Sequence, residues 1–188
     1  MHAVPSWETD ETKGLALAEI VRLLIDSGAS PTGCVDMSLG NLAVLRALLD
    51  AGGEIADDDT IHHAACYGQH QGLEILLEYG TRLDGTRGTD HHGGYTPLGC
   101  AISSRSLQGV KWFLDNGQCP NQIGRKDREN GLHVAVHYGA SDKMLQLLLD
   151  AGCKLNHKDK QGRTPLARAQ EKNHKKSIAM LAAAGATV

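Results

Sequence analysis

A pair of large apolar residues followed by two others and a glycine recurs along the whole chain. The pairs are Leu24-Ile25 before Gly28, Leu48-Leu49 before Gly52, Leu76-Leu77 before Gly80, Phe113-Leu114 before Gly117, Leu148-Leu149 before Gly152, and Leu181-Ala182 before Gly185. Apolar residues upstream of these pairs fall at helical spacing. Leu15, Leu17, Ile20, Val21, Leu24 and Ile25 form one such face, and Leu42, Leu45, Leu48 and Leu49 another. Each pair therefore marks the end of a helix, and the glycine ends it. Subtracting successive glycine positions gives spacings of 24, 28, 37, 35 and 33. A fixed period in this range predicts a stack of repeats.

What lies between the helix ends is clearest at Asp159-Lys-Gln-Gly-Arg-Thr-Pro-Leu-Ala-Arg-Ala169. Gly162 can take the positive φ of a tight turn. Thr164 can accept from the free N–H groups of a new helix, and Pro165 suits the first helical position, where no N–H is needed. Leu166 and Ala169 then share a face. This stretch resembles the ankyrin repeat, whose pattern reads Asp-x-x-Gly-x-Thr-Pro-Leu-His-x-Ala. The repeat length of about 33 agrees with the C-terminal spacings. The resemblance implies an all-α repeat solenoid of helix-turn-helix ankyrin repeats joined by β-hairpin loops, with degenerate N-terminal repeats. Independently of the helix ends, Asp59, Thr96, Asn130 and Thr164 fall at the four first-helix starts, and all are strong N-cap types.

The chain divides on this reading into one domain, 1–188. Residues 1–30 form an N-terminal helical cap, in which Gly14 breaks or turns the helix. Residues 31–54 form a degenerate repeat. Its first helix, Cys34 to Leu39, carries Asp36 where the family has a small apolar residue. Repeats follow at 55–90, 91–124 and 125–158, and 159–188 is a C-terminal capping repeat. Its second helix is thinned to Ala179, Ala182, Ala183 and Ala184, as suits an end with no neighbour. Gly99 replaces the family His, and Arg105 replaces the glycine between the two helices. The Gly-rich stretch 85–94 reads as an enlarged hairpin loop.

Composition agrees with an elongated stack. Aromatic residues make up 4% of the chain, with one Phe, too few for an ordinary compact core. Five widely spaced cysteines without a Cys-x-x-Cys suit a reduced, cytoplasmic protein. No run of eighteen apolar residues exists, so no membrane partner is expected. Charge is unevenly placed. Residues 1–60 carry eleven acidic and three basic side chains, a net −8, and residues 154–188 carry two and eight, a net +6. A stack then has one acidic and one basic end.

Ten histidines raise the question of a metal. His133 and His137 share a helical face, and His91 and His92 lie in the Gly-rich loop. None of the ten stands in a Cys/His cluster of zinc spacing. His62 and His133 instead occupy the third position after a cap, the spacing of a capping box. Asp57-Asp-Asp59 lacks the Gly and distal Glu of a calcium loop. Cys66 and Cys100 lie near histidines, yet no third group orients a base. Lys154 to Lys176 is basic but lacks the interleaved aromatics of a nucleic-acid site. No cofactor, metal or catalytic residue is assigned.

The resemblance implies that hairpin tips and first helices line a concave groove. Matching hairpin positions are His92, Tyr95, Lys126, Glu129, Lys160 and Arg163. Matching first-helix positions are Tyr67, Ser103, Ser104, His137 and Tyr138. Three of the four tyrosines fall on this surface, and interfaces are enriched in Tyr. The expected function is non-catalytic binding of a protein partner, by a monomer acting as a module or as a stand-alone inhibitor or immunity-type protein. A metal-binding or hydrolytic enzyme on a repeat scaffold is the alternative.

Overall fold

The computed structural model describes residues 8–31, 33–55, 57–81, 83, 94–121 and 127–188; for 8–12, 36–37 and 57–59 the backbone alone is described. Eleven α-helices and no strand occur among these residues. They are α1 (Glu8–Asp26), α2 (Val35–Ser38), α3 (Leu42–Asp50), α4 (Asp57–Cys66), α5 (His70–Glu78), α6 (Pro97–Ser103), α7 (Leu107–Asp115), α8 (Gly131–His137), α9 (Asp142–Asp150), α10 (Pro165–Glu171) and α11 (Lys175–Ala183). First helices stack in one row, α2 on α4, α4 on α6, α6 on α8 and α8 on α10. Second helices form a row behind them, in which α1 lies against α3, α3 against α5, α7 against α9 and α9 against α11.

The recurring apolar pair has a mechanical cause. At each of the six helix ends the glycine is left-handed, with φ between 75° at Gly152 and 102° at Gly28. Its N–H bonds the carbonyl of the second apolar residue, and the next N–H bonds that of the first, as in Gly152 to Leu149 and Cys153 to Leu148. This is the Schellman arrangement, which satisfies the last carbonyls of a helix. The same residues therefore close the helix and supply its apolar face. The shorter turns between first and second helices repeat the motif with Gly68, Arg105, Gly139 and Asn173 in the left-handed position. Arg105 offsets some of its φ strain by donating from Nε and Nη2 to the Tyr138 carbonyl, at 3.1 and 2.7 Å.

The core runs between the rows, through Leu45, Leu73, Ile102, Phe113, Leu132, Leu145 and Leu181, all essentially inaccessible to solvent. Burying a side chain of this size contributes roughly 1.5–3 kcal/mol.

Two expectations about the N-terminal region are corrected. Helix α1 runs through Gly14 without a break. A Cβ there would lie 3.1 Å from Asn41 Oδ1, so the glycine lets α1 approach the capped start of α3. Asp59 is not a cap either: α4 begins at Asp57 and places Asp59 inside its first turn. Helix α2 has only four residues, and no side chain caps it, whereas Asn41 caps α3 by accepting from Val44 N–H.

Candidate protein-binding surface

The 159–164 turn is built as its residue types dictate. Asp159 Oδ1 accepts from the N–H groups of Gln161 and Arg163, both at 2.9 Å. Gly162 has φ 77°. Thr164 then caps α10 by accepting from Ala167 N–H at 3.2 Å, and Thr96 caps α6 through Gly99 N–H at 3.1 Å. Burial alone would raise the Asp159 carboxyl, but the Arg163 N–H and guanidinium hold it below its usual range.

Two histidines each join one repeat to the next. His62 Nε2 lies 2.9 Å from the Tyr95 carbonyl, and His133 Nε2 lies 2.9 Å from the Arg163 carbonyl. In both cases the acceptor immediately precedes the next repeat's cap. His133 also completes a capping box with Asn130. Both histidines link neighbouring repeats, but the capping-box spacing holds only for His133, because α4 begins at Asp57 and His62 is not three residues after a cap.

The repeat between them has no such link, because Gly99 stands in the His position. A Cβ on Gly99 would come within 3.1 Å of the Tyr95 Cβ. The glycine thus leaves room for Tyr95 to lie across the start of α6. There its ring meets Tyr138 edge to face, with centroids 6.0 Å apart and hydroxyls at 3.5 Å. Burial and the Tyr138 hydroxyl push the Tyr95 phenol above its ordinary range, so it stays neutral. A small cavity of about 10 Å³ remains beneath, lined by Tyr95, Gly99, Pro120, Glu129 and Asn130. The departure from the family residue at position 99 therefore creates a half-buried tyrosine pair across two repeats.

The remaining surface residues are placed less uniformly. Tyr67 projects from the end of α4, is 68% exposed, and touches His63 edge to face. Ser103 and Ser104 turn their hydroxyls back onto the carbonyls of Cys100 and Ala101, at 2.8 and 3.0 Å. His137 packs against the Tyr138 ring at 4.8 Å, and burial, with Lys172 and Arg168 nearby, holds its imidazole below the usual range. Lys160 is exposed. Arg163 is engaged by two carboxylates, Asp159 and Glu171, each at 2.9 Å. His92 and Lys126 lie outside the described residues, as does most of the 85–94 loop.

Glu129 requires a correction. It is 3% exposed and paired with the equally buried Arg168 on α10, so it does not stand on an accessible tip. Its Oε2 and the Arg168 Nε have no hydrogen-bond partner. The sequence reading singled out neither Arg168 nor its approach to Asp159. The charges of Glu129 and Arg168 are complementary, yet they stand 39 residues apart, and no local pattern joins them.

Among the described residues no group of three or more His, Cys, Asp or Glu side chains converges. Cys66 hydrogen-bonds Cys100, which lowers the Cys66 thiol and raises that of Cys100. No described helix is long and apolar enough to cross a membrane.

Comparison with known proteins agrees with this architecture. The family model for ankyrin repeats (3 copies) matches residues 33–124 and 118–188. The chain is 29% identical over 133 residues to human transient receptor potential cation channel subfamily A member 1, covering 69% of this chain and 12% of that protein. It is 32% identical over 108 residues to the ankyrin repeat protein FPV115 of fowlpox virus (strain NVSL), covering 56% of this chain and 18% of that one. The chain thus spans less than a fifth of the length of either relative. Ankyrin repeats generally mediate protein–protein interaction. The match across 33–188, together with the capped turns and His links, places this chain in the ankyrin repeat family.

Proposed function

We propose that this protein is a non-catalytic module that binds a protein partner on the surface formed by the turns and first helices of its three C-terminal repeats. The observation that carries this reading is the Tyr95–Tyr138 pair. Gly99 forgoes the histidine link to make room for it. Tyrosines that present a ring and a hydroxyl are favoured at the centre of interfaces, where truncation to Ala typically costs 2 kcal/mol or more. Tyr67 and Lys160 are both exposed. Arg163 is already neutralised by Asp159 and Glu171, so Lys160 is the better steering charge.

The test uses the full chain as bait in a native lysate, followed by affinity measurement on whatever is captured. Tyr95→Ala and Tyr138→Ala are expected to weaken binding about thirtyfold or more, and Tyr95→Phe and Tyr138→Phe to retain most of it. Unchanged melting of the Phe variants controls for folding. Wild-type affinity in both Ala variants would move the interface elsewhere.

A further inference from the structure

Cys66 is the last residue of α4, and Cys100 lies at the middle of α6. These two helices stack directly on one another, and the two thiols are hydrogen-bonded across the stack. Their exposures differ. Cys66 is half-buried at the edge of the core, whereas Cys100 is 1% exposed inside it. A small solute therefore reaches Cys66 and not Cys100, while Cys66 itself reaches Cys100. The shared hydrogen bond separates their protons in the same sense. It lowers the Cys66 thiol, against the upward pull of burial, and with burial it raises that of Cys100. The reactive form of a cysteine is the thiolate. The accessible sulfur is thus the better nucleophile, and the inaccessible one keeps its proton. The other three cysteines are placed differently. Cys34 and Cys119 are exposed, and buried Cys153 gives its S–H to the Pro120 carbonyl at 3.3 Å.

We propose that Cys66 and Cys100 form a redox site, at which a hydroperoxide oxidises Cys66 and Cys100 then closes a disulfide between α4 and α6. In the first step the Cys66 thiolate attacks one oxygen of the peroxide. An S–O bond forms and the O–O bond breaks. Cys66 is oxidised to a sulfenic acid, and the peroxide is reduced. With hydrogen peroxide the leaving hydroxide takes up the proton that Cys66 had released, giving water. In the second step the Cys100 sulfur attacks the sulfenic sulfur. An S–S bond forms, the S–O bond breaks, and the departing hydroxide leaves with the Cys100 proton as a second water. Two thiols and one hydrogen peroxide thus become one disulfide and two waters. The sulfurs, already in contact, have to close to about 2 Å. An excess of a small thiol reverses the bridge by exchange. The bridge joins residues 34 positions apart, so it restricts the unfolded chain more than the native stack.

The test treats the full chain, reduced and dilute, with hydrogen peroxide. Remaining thiols are capped with N-ethylmaleimide, and the chain is digested without reduction. Mass spectrometry should find the peptide that joins Cys66 to Cys100 as the main disulfide. Dimedone, which traps sulfenic acids, fixes the order of the steps. It should label Cys66 in Cys100→Ala about fivefold or more above the wild type, and it should leave Cys100 unlabelled in Cys66→Ser. The urea midpoint of the oxidised wild type should rise, and dithiothreitol should return it to its starting value. The wild-type peptide map needs no variant, so it decides the matter even where Cys100→Ala does not fold. Oxidation of Cys66 to sulfenic or higher acids without the Cys66–Cys100 peptide overturns the proposal, because Cys100 would then be out of reach. A main disulfide that involves Cys34, Cys119 or Cys153, or that joins two chains, overturns it as well. So does a Cys66–Cys100 bridge that fails to raise the urea midpoint, since such a bridge would not fit the native stack.

Discussion

From Tyr95 to Val188 each repeat has a capped first helix, a left-handed turn and a complete second helix. From Glu8 to Gly53 only the second helices are complete. Helix α1 has no described first-helix partner, and α2 is a single uncapped turn, yet α1 and α3 both end in the same Schellman motif as α9 and α11. The second helix and its glycine therefore tolerate the loss of the first helix. The reason is local: the motif needs two backbone hydrogen bonds and one glycine, all within six residues. First helices need more parts, a local side-chain cap and, at α4 and α8, a histidine that reaches the next repeat. The buried charges follow the same division. Among the described residues Glu129, Asp159 and Arg168 are the buried carboxylates and guanidinium groups, and all lie in the C-terminal repeats.

The largest expected effect breaks the better-built end at that charge cluster. Arg168→Leu removes the partner of Glu129 and leaves a carboxylate buried without compensation. The expected loss is about 3–5 kcal/mol in urea denaturation. Replacing both residues, with Glu129→Leu added, should recover most of the loss, because the buried charge disappears with its partner. A single variant that loses less than about 1 kcal/mol would mean that water reaches Glu129 and that the C-terminal network contributes little.

The next comparison sets one leucine against another. Leu132 on α8 is fully buried, and Leu132→Ala should cost about 2–5 kcal/mol through lost contacts and the cavity left behind. Leu23 on α1 is 64% exposed, and Leu23→Ala should stay within about 0.5 kcal/mol in dilute protein. Equal losses at the two sites would show that α1 is covered in solution at the concentration used.

Much of the C-terminal half was legible because its signals are short-range. Gly162, Thr164 and Pro165 act within their own turn, and Asn130 and His133 act across three residues. Where the reading failed, the deciding partner was distant. Asn41 explains Gly14, since only close approach to α3 gives a glycine within α1 a purpose. Asp59 misled because any acidic residue ahead of an apolar run can be either a cap or part of the first turn, and α4 takes the second course. Glu129 was placed on the surface by analogy with hairpin positions, while Arg168, one repeat further on, draws it inside. The tyrosine surface was partly legible. Position 99 was recognised as a departure, but sequence alone does not say that the vacated space is filled by Tyr95.

The smallest effect concerns pH and separates the His links from a metal-binding role. His133 is inaccessible to solvent. Its Nε2 faces the Arg163 carbonyl, which can only accept, so Nε2 carries a proton, while Nδ1 lies 2.7 Å from Asn130 Oδ1 and 3.4 Å from the Asn130 N–H. Burial pushes the imidazole down to about 4, against smaller upward pulls from the Arg163 carbonyl and Asp159, while Arg168 and His157 add to the depression. The unfolded chain takes up this proton near pH 6.5 and the native state near pH 4. Between those values the unfolded state holds more protons, so stability falls as pH falls, by up to about 1.4 kcal/mol per pH unit. Below the lower value this contribution levels off. At pH 5 the loss from His133 should be roughly 2 kcal/mol relative to neutral pH. His133→Gln should be less stable at pH 7, through the lost link, yet its stability should depend on pH less steeply across this window, by about one proton. Denaturation midpoints measured from pH 7 to pH 4 give both slopes. Parallel slopes in wild type and variant would show that His133 protonates freely in the fold. In that case the tight link between the last two repeats would have to rest on the Glu129–Arg168 pair and the Asp159 turn alone.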